Sequence, residues 1–188
     1  LEVELVKEII PIFLIVVVCG ILVLSCTTNS SISLEGRNLW ILKCSPINPT
    51  VIFKAKIALN LLLVVPAVVI SDIIFAVSLS LSLAQTAWLM IISIIFSIVV
   101  PVIGVIVNLY FPKFNWVSET AVVKQGASVM IQMLISAAIV AIPVLIFIYV
   151  KIQNINLFLL GTVIYELIVL GVVTAILNTT GVKLFNKL

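Results

Sequence analysis

Two carboxylates, Asp72 and Glu166, interrupt long apolar segments, VVISDIIFAV and GTVIYELIVL, and are the residues most able to do chemistry. A charge near the middle of a bilayer costs about 3 kcal/mol or more, so such residues usually face a cavity or a partner. Chain counting at about 1.5 Å per residue places both at similar depth. They are candidates for a transport path or a proton-sensitive pair. Alternatively, each is protonated or hydrogen-bonded to neighbouring serines and asparagines, with Asn60 and Asn108 as candidates.

Other reactive side chains are scarce. The sequence has no histidine, and its three cysteines, Cys19, Cys26 and Cys44, form no CxxC pair, so no metal or haem site is expected. The cysteines are interpreted as free thiols. No Walker lysine motif or nucleophile elbow is present, so the chain is predicted to be no enzyme and to bind no cofactor itself.

The composition is that of a membrane protein. Of 188 residues, 64% are hydrophobic and 9% charged, with a mean hydropathy of +1.45, whereas soluble domains carry about 25% charged residues. Apolar runs of the length that spans a bilayer recur along the chain. The net charge of +3 comes from scattered lysines, so nucleic-acid binding is not expected. We predict an all-α, polytopic helical membrane protein in contact with the lipid bilayer.

Five spans are predicted within a single transmembrane domain, at about 9–26, 57–83, 87–111, 128–150 and 157–177. Pro66, Pro101 and Pro143 fall inside three of them, where neighbouring helices can compensate for the lost backbone donors. The segment VSLSLSL at 77–83 alternates like a strand. Because an open strand edge cannot survive in lipid, this segment is assigned to the second helix, with its serines facing other helices.

Lysine and arginine counts predict the orientation. Eight cations fall on one side, Arg37, Lys43, Lys54, Lys56, Lys113, Lys124, Lys183 and Lys187, and two on the other, Lys7 and Lys151. The chain is therefore expected in the cell membrane as a multi-pass protein with its N-terminus outside and its C-terminus in the cytoplasm. An odd number of spans agrees with this assignment.

The first predicted cytoplasmic loop, 27–56, contains SLEGRNLWILKCSPINPT. Ser45-Pro46 and Asn48-Pro49 each combine a capping side chain with a proline suited to the first helical turn, and the second pair can start a helix through VIFKAK. Residues 33–43 are expected to form a short helix or turn with Leu39, Trp40 and Leu42 at the membrane surface. Lys54 and Lys56 would extend toward headgroups. The simpler alternative is an interfacial anchor without further function.

The second loop, FPKFNWVSETAVVKQG at 111–126, repeats this design. Ser118 can cap a short helix with Glu119 in its first turn, and Phe114 and Trp116 offer aromatic anchors. Two loops of one design on the same side indicate two contact points for a soluble partner.

The segment SLEGRNLWILKCSPINPTVIFKAK resembles the loop between helices two and three of type-2 ATP-binding-cassette (ABC) exporter permeases. The second loop is similar to a cytoplasmic segment of one bacterial branch, the putative ABC exporter permeases. Together the motifs cover about 40 of the 188 residues. Two departures are Cys44, where a small polar residue is expected, and the lack of a first helix. The five spans would then be helices two to six, the C-terminal part of such a permease.

The resemblance implies transport driven by ATP hydrolysis on a separate cytoplasmic ATPase subunit. It implies an ATPase-coupling loop of Glu35, Gly36, Arg37, Trp40, Lys43 and Pro46, and a second contact loop of Phe114, Trp116, Glu119 and Lys124. Five helices hardly enclose a path alone, so pairing with a second permease half or a homodimer is expected. Three other interpretations stay open: a membrane-embedded enzyme using Asp72 and Glu166, a non-transporting membrane scaffold, and a proton-coupled carrier.

Overall fold

The computed structural model describes residues 2–116, 118–150 and 154–188, with side chains described except at 2–9, Arg37, Ala121, Lys124, Gln125 and Val150. These ranges contain helices and no strand. The α-helices are α1 Glu2–Leu24, α2 Leu39–Cys44, α3 Pro49–Ser78, α4 Leu83–Tyr110, α5 Glu119–Gln125, α6 Ala127–Val150, α7 Ile155–Ile176 and α8 Val182–Lys187. A 3-10 helix, Ser33–Asn38, precedes α2, and a π-helical turn, Leu177–Gly181, joins α7 to α8.

Five long helices, α1, α3, α4, α6 and α7, correspond to the five predicted spans. Within the described residues, four helical segments are long and apolar enough to cross a membrane, and the apolar part of α1, Ile10–Leu24, is shorter. The predicted all-α, polytopic class is therefore confirmed.

Helix α4 is the centre of the bundle, and α1, α3, α6 and α7 all pack against it. Its start is fixed by a capping box, in which Ser82 accepts a hydrogen bond from the backbone of Gln85 and the Gln85 side chain accepts one from the Ser82 N–H. Leu89, Ile92 and Phe96 are completely buried. Most of its apolar side chains are covered by neighbouring helices, which suits an almost entirely apolar helix to this central position.

Neighbouring helices compensate for a proline as expected in at least one place. Pro143 of α6 has no N–H to bond with the carbonyl of Ile139, four residues earlier. The hydroxyl of Tyr165, on α7, donates to that carbonyl oxygen at 3.4 Å. The contact therefore joins α6 to α7 at the point where α6 lacks its own hydrogen bond.

The second predicted span needs correction at both ends. Helix α3 begins at Pro49 and ends at Ser78, so VSLSLSL is not continuous helix. Ser80 lies in the following turn with a φ of +50°, and Ser82 caps α4. The turn chemistry of these serines outweighs the apolar residues between them, since their hydroxyls bond readily to nearby backbone. The serines serve the turn instead of facing other helices.

Most of the loop after α1, the α4–α6 connection and α8 meet at one end of the bundle, which we call the loop end, comprising residues 30–48, 111–116, 118–126 and 182–188. An apolar core joins them and includes Ile32, Leu109 and Leu177. Within it the rings of Phe53 and Phe185 meet edge to face, with centroids 5.6 Å apart. The two loops and the tail, which the charge count assigned to one side, thus lie together, while the sidedness of this end stays a prediction.

Candidate functional site

Asn108 of α4 is the hydrogen-bonding centre of the loop end. Its Oδ1 accepts from the backbone N–H groups of Ile32 at 2.8 Å and Ser33 at 3.0 Å. Its Nδ2 donates to the hydroxyls of Ser33 at 2.8 Å and Ser128 at 3.2 Å. One buried amide therefore holds the first loop, α4 and the start of α6 together. The sequence had suggested Asn108 as a hydrogen-bond neighbour of the buried carboxylates. In the structure its side chain bonds to Ile32, Ser33 and Ser128 instead.

The two loops are in direct contact through Trp116 and Gly36. The Trp116 indole donates from Nε1 to the Ser33 carbonyl oxygen at 2.9 Å, and the Lys113 N–H donates to the Ser33 hydroxyl at 3.0 Å. Gly36 has a φ of +52°, and a Cβ there would lie 3.2 Å from the Trp116 ring. Glycine is required twice over, by its backbone conformation and by the close approach of the ring. Trp116 therefore fastens the two loops together.

The resemblance places Glu35 in a loop that would contact a soluble partner. In the structure, however, the Glu35 side chain is already engaged within the chain. Its carboxylate forms an ion pair of 2.7 Å with Lys56 of α3. The Lys56 ammonium also donates to the Ser31 carbonyl oxygen at 2.9 Å. Lys56 thus turns inward to tie the first loop to α3, and only Lys54 of the two lysines is exposed.

Helix α2 forms the exposed part of the first loop. Leu39 is buried in the loop-end core, while Trp40 and Lys43 are exposed, Trp40 by 62%. Pro46, also exposed, lies in the turn that follows. Asn48 then caps α3, accepting from the Thr50 N–H at 3.1 Å, with Pro49 in the first helical turn. The predicted start of a helix at Asn48-Pro49 is confirmed.

The second loop forms the short helix that its sequence predicted. Helix α5 begins at Glu119, which is exposed, and Ser118 precedes it without a side-chain capping bond. Phe114 packs partly buried against the loop-end core. The side chains of Arg37 and Lys124 lie outside the described residues.

A polar segment that the sequence analysis overlooked lies at membrane depth. Helix α1 ends at Leu24, and Cys26 lies against the Val100 carbonyl of α4, ten residues or about 15 Å before α4 ends. Thr28 donates to the Pro101 carbonyl oxygen at 2.7 Å. A Cβ at Gly104 would lie 2.8 Å from the Cys26 sulfur, so only glycine leaves room for the segment.

Two amides on neighbouring helices satisfy the rest of this segment. Asn60 of α3 donates to the Thr27 hydroxyl at 2.9 Å, and Asn29 donates to Gln132 of α6 at 3.2 Å. Gln132 in turn donates to Ser136, one turn later, at 3.1 Å. Irregular backbone is tolerated at membrane depth only where protein or a cavity replaces water. Two features of the sequence could have predicted this polar segment: the run SCTTNSS at 25–31, and the spacing of Gln132 and Ser136 by one helical turn.

Asp72 of α3 is completely buried, and neither carboxylate oxygen has a hydrogen-bond partner among the described residues. The Ser93 hydroxyl of α4 faces it but donates to the Leu89 carbonyl oxygen at 2.6 Å. Asp72 lies six residues before α3 ends, about 9 Å along the helix, and therefore nearer the helix end than the sequence-based span suggested.

Glu166 of α7 is 5% exposed, and its Oε2 has no partner within the described part of the chain. It borders a cavity of about 30 Å³ whose walls come from α1, α4, α6 and α7, enough for one or two waters. Thr162, one turn earlier, donates to the Phe158 carbonyl oxygen at 3.0 Å. Except for Glu166, Thr162 and Cys19, the cavity lining is apolar.

Cys19 of α1 lies within electrostatic range of both Asp72 and Glu166. The two carboxylates therefore lie on the inner side of the bundle around Cys19, but no hydrogen bond links them. Cys19, Ser93 and Thr162 belong to this region and were not singled out from sequence, since small polar residues in apolar helices are ordinary there.

Comparison of the chain with models of protein families, with curated proteins and with solved structures found no match. The class is therefore defined by the fold itself: an all-α, polytopic membrane protein with a compact loop end and two buried carboxylates. The resemblance to exporter permeases therefore stays a prediction from the two loop segments.

Proposed function

We propose that this chain is the transmembrane permease subunit of an ABC exporter, moving a substrate across the membrane with ATP hydrolysed by a separate ATPase subunit. The observation that carries the proposal is the joining of the two loops that resemble the permease segments. Trp116 packs on Gly36 and bonds to Ser33, so the loops make one surface. A single docking surface is what one soluble ATPase would need.

Helix α2 is a part of this surface that a partner can reach. Trp40 and Ile41 are exposed by 62% and 53%, and Lys43 is exposed on the same short helix. An exposed aromatic residue beside a cation is a frequent composition at binding hot spots. Because Glu35 is engaged by Lys56, the proposed contact rests on Trp40 and Lys43 instead of on Glu35.

The same contacts offer a route for motion from α2 to the spans. The Glu35–Lys56 pair and the Asn48 cap connect the loop to α3, and Asn108 connects it to α4 and α6. In this mechanism, a shift of α2 moves well-packed helix ends because few slack residues intervene. Transport would then follow from a change in how α3, α4 and α6 pack.

The test is co-purification of a cytoplasmic ABC ATPase with the full chain from native membranes, using Trp40→Ala combined with Lys43→Glu. We expect at least a tenfold loss of bound ATPase, a loss typical of removing a hot-spot residue of about 1.4 kcal/mol or more. Tyr149→Ala is the control, since Tyr149 is an aromatic residue that is even more exposed, by 82%, at the opposite end of the bundle. Both variants should reach the membrane in wild-type amounts.

If the α2 variant retains the ATPase at the level of the Tyr149 control, the docking proposal is wrong and α2 is an interfacial anchor. Loss of membrane insertion in the α2 variant alone would also support the anchor. In that case Lys43→Glu by itself, which keeps Trp40, must still lower ATPase binding for the proposal to survive.

A further inference from the structure

Helices α6 and α7 both pack on α4 but diverge from each other, leaving a crevice of about 340 Å³. Its lining is mostly apolar and includes Pro143, Ile146, Leu157 and Gly161, with Thr162 and Tyr165 as the polar members. Binding sites for small molecules have volumes of about 300–1,000 Å³. The crevice is therefore large enough for a small organic molecule.

The crevice lies beside the cavity that Glu166 borders. It shares Pro143, Phe158 and Thr162 with the cavity that Glu166 borders, so the two spaces adjoin. The Phe158 ring also contacts Phe147 across the gap, with centroids 5.0 Å apart. A molecule entering between α6 and α7 would thus meet aromatic and aliphatic walls first and a carboxyl group last.

Glu166 has no counter-charge at this point. No lysine or arginine lines either space among the described residues, and the nearby Thr162 hydroxyl already donates to a backbone carbonyl. A buried carboxylate is stable only when it is paired or neutralised. A cationic group placed in the inner cavity would supply the missing partner.

We propose that the α6–α7 crevice binds amphiphilic monocations, with the cationic group beside Glu166 and the apolar body between the two helices. The inference rests on the proposed exporter function and names its substrate class. Charge complementarity selects the cation, and the apolar walls select a hydrophobic body. Exposed Ile146 and Leu157 form the outer edge, so the ligand enters sideways from the lipid, where amphiphiles accumulate.

The test measures binding to the purified full chain in nanodiscs of uncharged, zwitterionic lipid, with no ATPase present. The probe is a dansyl-labelled alkyl chain ending in a primary ammonium, which is small enough for the inner cavity, and its counterpart ends in the uncharged, isosteric methyl group. We expect wild type to bind the cation at least about tenfold more tightly than the neutral compound, as for a buried charge pair.

Two variants separate charge from shape. Glu166→Gln should abolish the preference for the cation while leaving neutral binding unchanged. Gly161→Leu should fill the crevice and weaken both probes, and because a Cβ there meets no atom within 4 Å, the fold should tolerate it. Gly171→Leu is the matched control on the same helix, equally open and outside the crevice, and should bind like wild type.

Equal affinity for both probes in wild type would overturn the cation proposal and leave an apolar crevice. Binding that Gly161→Leu does not reduce would place the probe elsewhere and also overturn it, as would no binding at all. If Glu166→Gln fails to accumulate, Gly161→Leu against Gly171→Leu still decides the location and the two probes decide the charge. Since no ATPase is present, failure here leaves the α2 docking test untouched.

Discussion

The ion pair between Glu35 and Lys56 illustrates how much a single contact changes the interpretation of the first loop. Both groups are partly shielded, with 31% and 18% of their side chains exposed. Lys56 also donates to the Ser31 carbonyl oxygen. The pair therefore stabilises the loop against α3 and is unsuited to recruiting a partner directly.

Reversing this pair gives a test at the scale of the residue. Glu35→Lys places two cations together. It should lower the free energy of unfolding by about 1 kcal/mol, as for a partly exposed pair, and so lower the melting temperature of the purified protein. The double variant Glu35→Lys, Lys56→Glu restores opposite charges and should recover part of the loss. Thermal unfolding in detergent measures both.

Lys54→Glu in the Glu35→Lys background serves as the control, because Lys54 is exposed and lies two residues from Lys56 on the same helix. Equal recovery from Lys54→Glu and Lys56→Glu would mean that only the net charge matters and that the pair has no specific role.

At the scale of the element, the turn between α3 and α4 is set by serines. Ser80 adopts a φ of +50°, a backbone conformation that costs side-chain-bearing residues about 1 kcal/mol relative to glycine. Ser82 then fixes the start of α4 through its capping box. The hairpin thus has one strained residue followed by a strong helix-start signal.

Ser80→Gly should relieve that strain and raise the free energy of unfolding by up to about 1 kcal/mol. The melting temperature should therefore rise slightly. Ser80→Val should lower it by a similar or larger amount, because a β-branched residue is disfavoured at positive φ. Ser78→Gly, within the end of α3, is the matched control and should destabilise slightly as glycine does in helices. A gain from Ser78→Gly equal to that from Ser80→Gly would contradict the turn explanation.

At the scale of the whole molecule, the loop end gathers the first loop, the second loop and α8 into one structure. Asn108, the Trp116–Gly36 contact and the Phe53–Phe185 pair each cross between different parts of the chain. All these segments must therefore lie on the same side of the membrane. The charge count predicts that this side is the cytoplasm.

The cysteines provide the measurement of sidedness. Cys44 is exposed on the loop end, while Cys19 and Cys26 are buried. An impermeant thiol reagent should therefore leave Cys44 unlabelled in intact cells and label it after lysis. Cys44→Ser should remove that signal. Fast labelling of Cys44 in intact cells would reverse the predicted orientation of the whole chain.

Sequence alone determined the class and most of the helices. Apolar runs predicted five long helices because a segment of that length and composition has few other ways to satisfy its backbone in lipid. Asn48-Pro49 predicted the start of α3 because capping is a local interaction between residues close in the chain, whereas Ser118 precedes α5 without the capping bond that was expected of it. The same local rule explains the error at VSLSLSL, where the serines of a turn were assigned to a helix.

Only the tertiary structure decided which partners the polar residues have. Glu35 was expected to contact a soluble partner and is bound to Lys56, and Trp116, predicted as an aromatic anchor, packs on Gly36. Glu166 was recognised as unusual from its apolar surroundings, but the crevice beside its cavity depends on how α6 and α7 diverge over α4. Contacts between residues distant in sequence depend on the relative placement of whole helices, and a pattern within one helix carries no information about that placement.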